Sequence, residues 1–321
     1  MVRAVPNRWP PPSRRTRTEA GAAMPDIPFV PPLEVRYGAV EQVSPRIRRV
    51  VAENPSRFTY RGTGTYVIGQ GKVAVIDPGP VLATHRDALS AALAGEQVTH
   101  ILVTHCHADH SPLAAWLREE TGAPTFAFGP HGAVDPDDEV VSEEAIDLAF
   151  VPDVRLAHGE LVGGDGWTIG AVHTPGHTSN HLCFALAEEQ ALFTGDHVMG
   201  WSTTVIAPPD GDMTAYMDSL RLVLGRTDAV LWPTHGGPVT EPRPYLEAYL
   251  EHRLERERQV LACVRRGVGR IPDIVAELYV AVPEELHPAA ARSVLAHLVK
   301  LVDEGRVGVD GVPALDGVFS S

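Results

Sequence analysis

The stretch Thr104–His110, THCHADH, puts three histidines and an aspartate within seven residues. Its first two residues close VTHILVTH, a short and mostly apolar run that reads as a buried strand. His105 and His107 stand two apart, so on an extended chain both side chains point the same way. Asp109 and His110 follow as the chain turns into the helix LAAWLREET, which closes at Gly122. Ser111 is expected to cap that helix, with Pro112 as its first residue. Four ligand-type side chains can therefore converge on one small volume. Imidazoles and carboxylates are the usual nitrogen and oxygen ligands of zinc. Four of them exceed what one catalytic zinc takes while keeping a position for water, so a second metal is expected to share them. Cys106 lies between two of the histidines, but alternation along the strand points it away, which gives it a structural role.

Further donors should come from later strand ends. TPGH (Thr174–His177), FTGD (Phe193–Asp196) and PTHGG (Pro233–Gly237) each place a ligand-type residue beside glycine after a β-like run. Glycine there lets the backbone turn sharply and approach a metal closely. Each is weak alone; in this order after H-x-H-x-D-H they are strong together. His181 lies four residues past His177 and is expected near the ligands, supporting one of them or touching substrate. His173 and His197 are read as ordinary packing or surface residues.

Around these motifs, strands alternate with helices. GTYVIGQGKVAVIDPG reads as two strands joined at Gly69–Gly71 and ending in a turn at Asp77-Pro78-Gly79. PTFAF is a strand, HLCFALAEEQALFTGD a hairpin, MTAYMDSLRLVL a helix and AVLWPTHG another strand. The acidic VDPDDEVVSEE reads as solvated surface. Because hairpins occur among the alternating elements, a mixed sheet with helices outside is expected. Beyond Pro238 the character changes. A long charged helix, PYLEAYLEHRLERERQVLACV, leads to the helices IPDIVAELYVAV and HPAAARSVLAHLVKLVDEG and a small hairpin about Asp310-Gly311, a winged-helix-like module. On the long helix, Arg253, Arg256, Arg258, Arg265 and Arg266 interleave with Glu251, Glu255 and Glu257, a pattern of pairs on a solvated face.

Composition sets limits on partners. The 321 residues carry a formal net charge of -14, with 44% apolar and 21% charged residues, and no apolar run approaches the roughly 20 residues of a membrane helix. Residues 241–321 hold 10 Lys+Arg against 13 Asp+Glu, whereas a winged helix docking into duplex DNA should present a basic face. That module is expected instead to wall the cleft or to form a homodimer contact. Three cysteines argue against a disulfide framework and for a reducing, cytoplasmic setting. The opening 24 residues, with five arginines and four prolines, read as a disordered tail and not as an export signal.

The motif set resembles the metallo-β-lactamase superfamily over roughly residues 29–240. The resemblance implies an α+β fold: an αβ/βα sandwich followed by a C-terminal winged-helix-like domain. It divides the chain into a tail (1–28), a catalytic domain (29–240) and an accessory domain (241–321). It implies two divalent metal ions, Zn2+ first and Mn2+ or Fe2+ as alternatives. His105, His107 and His177 would hold one ion, Asp109, His110 and His235 the other, and Asp196 would bridge them. A metal-bridging hydroxide is then the nucleophile, and Asp109 orients it.

Flavin-linked di-iron relatives carry glutamate where this chain has His107, which disfavours redox chemistry. The 39 positions from Asp196 to His235 leave no room for the inserted domain of the large RNA-cleaving branch. GTGTYVIG, THCHADH, TPGHTSNH, FTGD, PTHGGPV, YLEHRLERERQVL and ELHPAAARSVLAHLVKLVDEGRV are similar to the β-lactamase-like subgroup with a winged helix. Its animal mitochondrial members cleave single-stranded RNA, so phosphodiester cleavage is expected first. Hydrolysis of a small ester, thioester or lactone is the alternative. Gly64 stands where that subgroup commonly has asparagine.

Overall fold

The computed structural model describes residues 24–132 and 145–321. The acidic VDPDDEVVSEE run and the first 23 residues lie outside them.

The strands Glu41–Gln42 (β1), Ile47–Val51 (β2), Gly64–Ile68 (β3), Lys72–Ile76 (β4), Gln97–Leu102 (β5), Thr125–Ala127 (β6) and Val154–Arg155 (β7) form one sheet in chain order. Pairing is antiparallel from β1 to β4 and parallel from β4 to β7. A second sheet holds Leu161–Gly164 (β8), Trp167–His173 (β9), Leu182–Leu186 (β10), Ala191–Gly195 (β11) and Val230–Pro233 (β12), parallel only between β11 and β12.

Period-2 alternation assigns the faces. Tyr66, Ile68 and Ile76 of the first sheet pack with Ile169, Phe184 and Phe193 of the second in the central core. The outward neighbours Val67, Val73 and Val75 meet Ala114 and Leu117 of helix α2 (Leu113–Thr121). Cys183 and Leu192 meet Tyr216 and Leu220 of α3 (Met213–Leu224). Helix α1 (Ala83–Ala92) covers β2. The layering is helix, sheet, sheet, helix, a mixed-sheet sandwich with helices outside.

The chain then enters α4 (Pro242–Arg265), α5 (Ile271–Leu278) and α6 (His287–Asp303), closed by Gly308–Val309 (β13) paired with Phe319–Ser320 (β14). The small hairpin expected about Asp310-Gly311 forms with a wider loop than the sequence suggested. The paired strands are separated by residues 310–318, where Pro313 lacks the N–H that a close ladder requires.

Three further expectations are corrected. Ser111 does not cap α2: its hydroxyl donates to Asp147 Oδ2 (2.7 Å), and Pro112 occupies the cap position. Ile27, placed by the sequence in the tail, is buried in the core beside α3 and α4. The α4 face is not solvated throughout: Arg253, Glu255, Arg256 and Glu257 are buried. Helix α4 runs between two cores. Tyr245, Leu246 and Tyr249 belong to that of the sandwich, and Val260, Leu261 and Val264 to that of the C-terminal module. Its middle is covered, so buried charges need partners. Glu257 has them in Lys300 (2.8 Å) and Arg306 (2.8 Å). Arg258 forms an exposed pair with Glu251 (2.6 Å) and reaches the buried Glu255 (2.9 Å), at spacings of seven and three rather than the expected four. Among the described residues no helix is long and apolar enough to cross a membrane.

Candidate metal centre

Strand ends from both sheets meet at one edge of the sandwich. Asp77 follows β4, the segment from Thr104 to His110 follows β5, His177 lies between β9 and β10, Asp196 follows β11 and His235 follows β12. Strand β5 itself stops at Leu102, so His105 and His107 are carried on an irregular turn and not on an extended strand. Their rings still converge, with His105 Nε2 3.0 Å from His107 Nδ1 and His177 Nε2 3.2 Å from that same atom.

All seven residues singled out from the sequence come together. Three groups have donor atoms within 4.8 Å of one another: His105, His107 and His177; His105, His110 and Asp196; and Asp109, His110 and His235. Asp196 faces both sides of the cluster. Its Oδ1 lies 3.6 Å from His110 Nε2 and 3.4 Å from His235 Nε2, and its Oδ2 lies 3.9 Å from His177 Nε2. Asp109 Oδ2 is 3.2 Å from His235 Nε2 and 3.4 Å from His110 Nε2.

The far nitrogens of these imidazoles fix their tautomers. His177 Nδ1 donates to the Val205 carbonyl (2.8 Å), His235 Nδ1 to the Gly62 carbonyl (3.2 Å) and His110 Nδ1 to Asp77 Oδ2 (2.9 Å). Thr104 Oγ1 gives its own proton to Asp77 Oδ2 (2.8 Å) and so accepts from His105 Nδ1 (3.0 Å). With those protons committed to oxygen, Nε2 of His105 and His177 present lone pairs toward His107 Nδ1. A single proton on His107 Nδ1 serves only one of those two lone pairs well, whereas a cation among the three nitrogens accepts from all of them. Among the described residues, His110 Nε2 and Asp196 Oδ1 are buried with no hydrogen-bond partner, as donors aimed at a metal would be. The residues fit divalent ions.

Electrostatics agree. Burial, then the neighbouring imidazoles, hold His105 and His107 well below their ordinary pKa, and burial lowers His177. Burial opposes charge on His110 and His235 too, yet the facing carboxylates win. His110 is raised well above its usual value by Asp109, Asp196 and Asp77, and His235 is raised to about 10, mainly by Asp196. Asp109 and Asp196 are held below the ordinary carboxylate range despite burial, chiefly by His110 and His235 respectively. This half of the cluster demands positive charge, which protons or metal ions can supply.

Asp77 was not singled out by the sequence reading. It is fully buried at φ +49°, and its carboxylate also accepts from the Thr104 N–H (2.8 Å). The available signal was its place in DPG directly after β4, matching that of THCHADH after β5. Thr63, whose hydroxyl donates to Asp109 Oδ2 (2.8 Å), carried no comparable signal.

His181 lies against the backbone of the candidate ligand Asp196. It is buried, with Nδ1 on Thr174 Oγ1 (2.9 Å) and Nε2 accepting the Asp196 N–H (3.2 Å). Cys106 is structural, as expected. Asn180 Nδ2 donates to its sulfur (3.0 Å), and burial pushes the thiol up to about 12. His197 packs in the interior, and His173 stacks on Phe128 at 3.9 Å. Gly64 donates its N–H to the Thr234 carbonyl (2.9 Å), and Arg49 Cδ lies 3.6 Å from where a side chain would begin.

A cleft of about 30 Å³ opens onto the cluster. Phe58, Met199 and Val205, with Thr59 and Thr204, wall it above His107, Asp109, His177, Asp196 and His235. Neither lysine nor arginine is among these lining residues, and none comes from the C-terminal module. That module touches the segment before Phe58, where Arg57 Nη1 donates to the Glu285 carbonyl (2.8 Å).

Comparison with known proteins places this architecture. Residues 60–235 match the profile of the "Metallo-beta-lactamase superfamily", and residues 271–312 that of the "Beta-lactamase associated winged helix domain". The Aspergillus niger "Lactamase-like protein adaB" is 31% identical over 297 residues, 87% of each chain. An "Atrochrysone carboxyl ACP thioesterase" from Aspergillus chevalieri is 31% identical over 287 residues, 84% of this chain and 85% of that one. A metallo-beta-lactamase family protein from Thermus thermophilus shares the fold, with a TM-score of 0.70 over 87% of this chain and 99% of that one at 24% identity. The chain belongs to the metallo-beta-lactamase superfamily and is a hydrolase of that fold, with a C-terminal winged-helix domain.

Proposed function

We propose that this protein is a dinuclear metal hydrolase of a small acyl thioester or ester. His105, His107 and His177 would hold one ion, Asp109, His110 and His235 the second, and Asp196 lies within reach of both groups. The nitrogen-rich donor set suits zinc. Two divalent ions held there would supply an activated water at neutral pH and polarise a carbonyl. Asp109, at the floor of the cleft and held by Thr63, is the carboxylate placed to orient a water there. Phe58, Met199 and Val205 exclude bulk water and offer apolar contact to an acyl chain.

The observation that carries the substrate class is the wall: apolar, narrow and without a cation among its lining residues. A phosphodiester brings negative charge that only the metal ions would meet, with no lysine or arginine of the lining to assist, whereas an acyl group is neutral. The only titratable groups in the lining are the donors themselves, so no separate acid is offered to a leaving group. A thiolate, the anion of a group with pKa near 8.5, departs with little help, unlike an alkoxide. The thioesterase among the relatives supports the same choice. The three free, buried cysteines fit a reducing compartment such as the cytoplasm.

Cleavage of single-stranded RNA stays as a second reading on one observation. Near the cleft, Tyr60 stacks on Trp201 (4.7 Å), Arg61 lies over Tyr60 (5.4 Å) and Arg57 over Phe58 (5.6 Å). Aromatic faces beside guanidinium groups suit unpaired bases. The test is turnover of pantetheine thioesters, simple esters, lactones and labelled single-stranded RNA by protein of measured metal content, beside Asp196→Ala. Thioester turnover lost in the variant is expected. RNA cleavage lost in the variant, with thioesters untouched, overturns the proposal.

A further inference from the structure

Met199, Thr204 and Val205 supply part of the cleft wall from one loop, and that loop also holds two of the candidate ligands. The Val205 carbonyl receives the Nδ1 proton of His177 (2.8 Å), and Thr204 Oγ1 donates to the Asp196 carbonyl (2.7 Å). What fixes the loop is α4. Tyr245, Tyr249 and Arg253 recur every four residues and so share one helix face. All three are buried.

Their polar heads meet the loop backbone in order. Tyr245 Oη donates to the Met199 carbonyl (2.6 Å). Tyr249 Oη accepts the Met199 N–H (3.2 Å) and donates to the Ser202 carbonyl. Arg253 Nη2 donates to the Thr204 carbonyl. The Arg253 guanidinium also lies over the Tyr216 ring (5.0 Å), and the Tyr216 hydroxyl donates to the His197 carbonyl (2.8 Å). Packing alone does not call for these groups. Phenylalanine and methionine would fill the same volume without the cost of desolvating two hydroxyls and a guanidinium. The far half of α4 is built into the winged-helix core through Val260, Leu261 and Val264.

We propose that Tyr245, Tyr249 and Arg253 are positioning residues. Through them α4 sets the 199–205 loop, and the loop sets the ring of His177 and the backbone of Asp196. The accessory domain thereby governs metal affinity and cleft shape without lining the cleft. This rests on the metal reading proposed above.

The test uses full-length Arg253→Met, Tyr249→Phe and wild type. Divalent-ion affinity is measured by competition with a chromophoric chelator, the cobalt(II)-loaded proteins are compared by visible absorption, and the metal-free proteins are unfolded thermally. Arg253→Met is expected to lose roughly 10–100-fold in affinity for at least one ion, the range for removing a group that orients a ligand, with altered cobalt bands. Tyr249→Phe, which deletes a single oxygen and serves if Arg253→Met fails to fold, is expected to move both readouts in the same direction. Variants that keep wild-type affinity and cobalt spectrum, even with a lower melting temperature, overturn the proposal and leave the ladder merely structural. A wild type that takes up no divalent ion overturns the metal reading itself.

Discussion

Replacing Asp77 by asparagine tests how the buried network sets the metal centre. Asparagine tolerates the positive φ of +49° and keeps the shape of the side chain, so charge and hydrogen-bond direction are what change. In the native site the carboxylate accepts from the Thr104 N–H (2.8 Å), the Thr104 hydroxyl (2.8 Å) and His110 Nδ1 (2.9 Å). An amide has one acceptor oxygen. With that oxygen on the Thr104 N–H, the NH2 group faces His110 Nδ1, which must give up its proton and accept. The proton then sits on Nε2, the nitrogen that faces Asp109 and Asp196. A protonated Nε2 cannot bind a metal ion. Losing a charge-assisted hydrogen bond costs about 1.5–3 kcal/mol of stability. Metal affinity should fall roughly 10–100-fold, or about 1.4–2.8 kcal/mol. Chelator competition reads the affinity and urea unfolding the stability. Folded Asp77→Asn protein that binds both ions as tightly as wild type would refute the tautomer argument.

Three other outcomes are expected. Chelation of the ions from as-purified protein should lower the melting temperature, because ions that bind only the folded state at 1,000 times Kd contribute about 4 kcal/mol; an unchanged melting temperature after measured metal removal counts against a folded-state site. His85, fully buried with Nε2 on the Pro78 carbonyl (3.1 Å), is lowered by burial from 6.5 to about 4. The unfolded chain takes up that proton first, so stability falls as pH drops from about 6.5 to 4, by up to about 3 kcal/mol, and is unaffected by this group above that window. In metal-free protein, His85→Gln should flatten the slope of stability against pH there, and an unchanged slope would remove His85 from the account. Gly176→Ala should cost about 3 kcal/mol or more in urea unfolding, since its φ is +133° and a Cβ would lie 2.3 Å from the Tyr216 Cα; a stable variant would mean that α3 can shift.

The candidate ligands were legible because they are local. H-x-H-x-D-H needs only one turn after one strand, and TPGH, FTGD and PTHGG are strand ends that announce themselves through glycine. Gly176 and Gly195 bear this out physically. One lies against the Tyr216 backbone, and the other leaves a Cβ position 2.6 Å from His181 Nε2. Asp77 escaped notice because its importance depends on which strands neighbour one another. Only the β4–β5 pairing brings DPG beside THCHADH.

Helix α4 misled for a related reason. Alternating arginine and glutamate normally mark a water-facing surface, since burying charge is costly. That inference assumes a helix with one covered side. Here α3, α5 and α6 pack around α4, and it threads two cores. Glu257 answers to Lys300 and Arg306, and Arg253 to a backbone carbonyl and the Tyr216 ring. Arg253, Arg256 and Glu257 survive burial because each has a fixed partner on another element, while Glu255 is held within the helix by Arg258 (2.9 Å) and Gln259 (3.0 Å). A helix satisfied in this way cannot rotate or slide without breaking several such pairs at once. That rigidity is what the 199–205 loop, which holds His177 and Asp196 by hydrogen bonds, needs from the element behind it, and a purely apolar α4, free to slip by a rotamer, would not supply it.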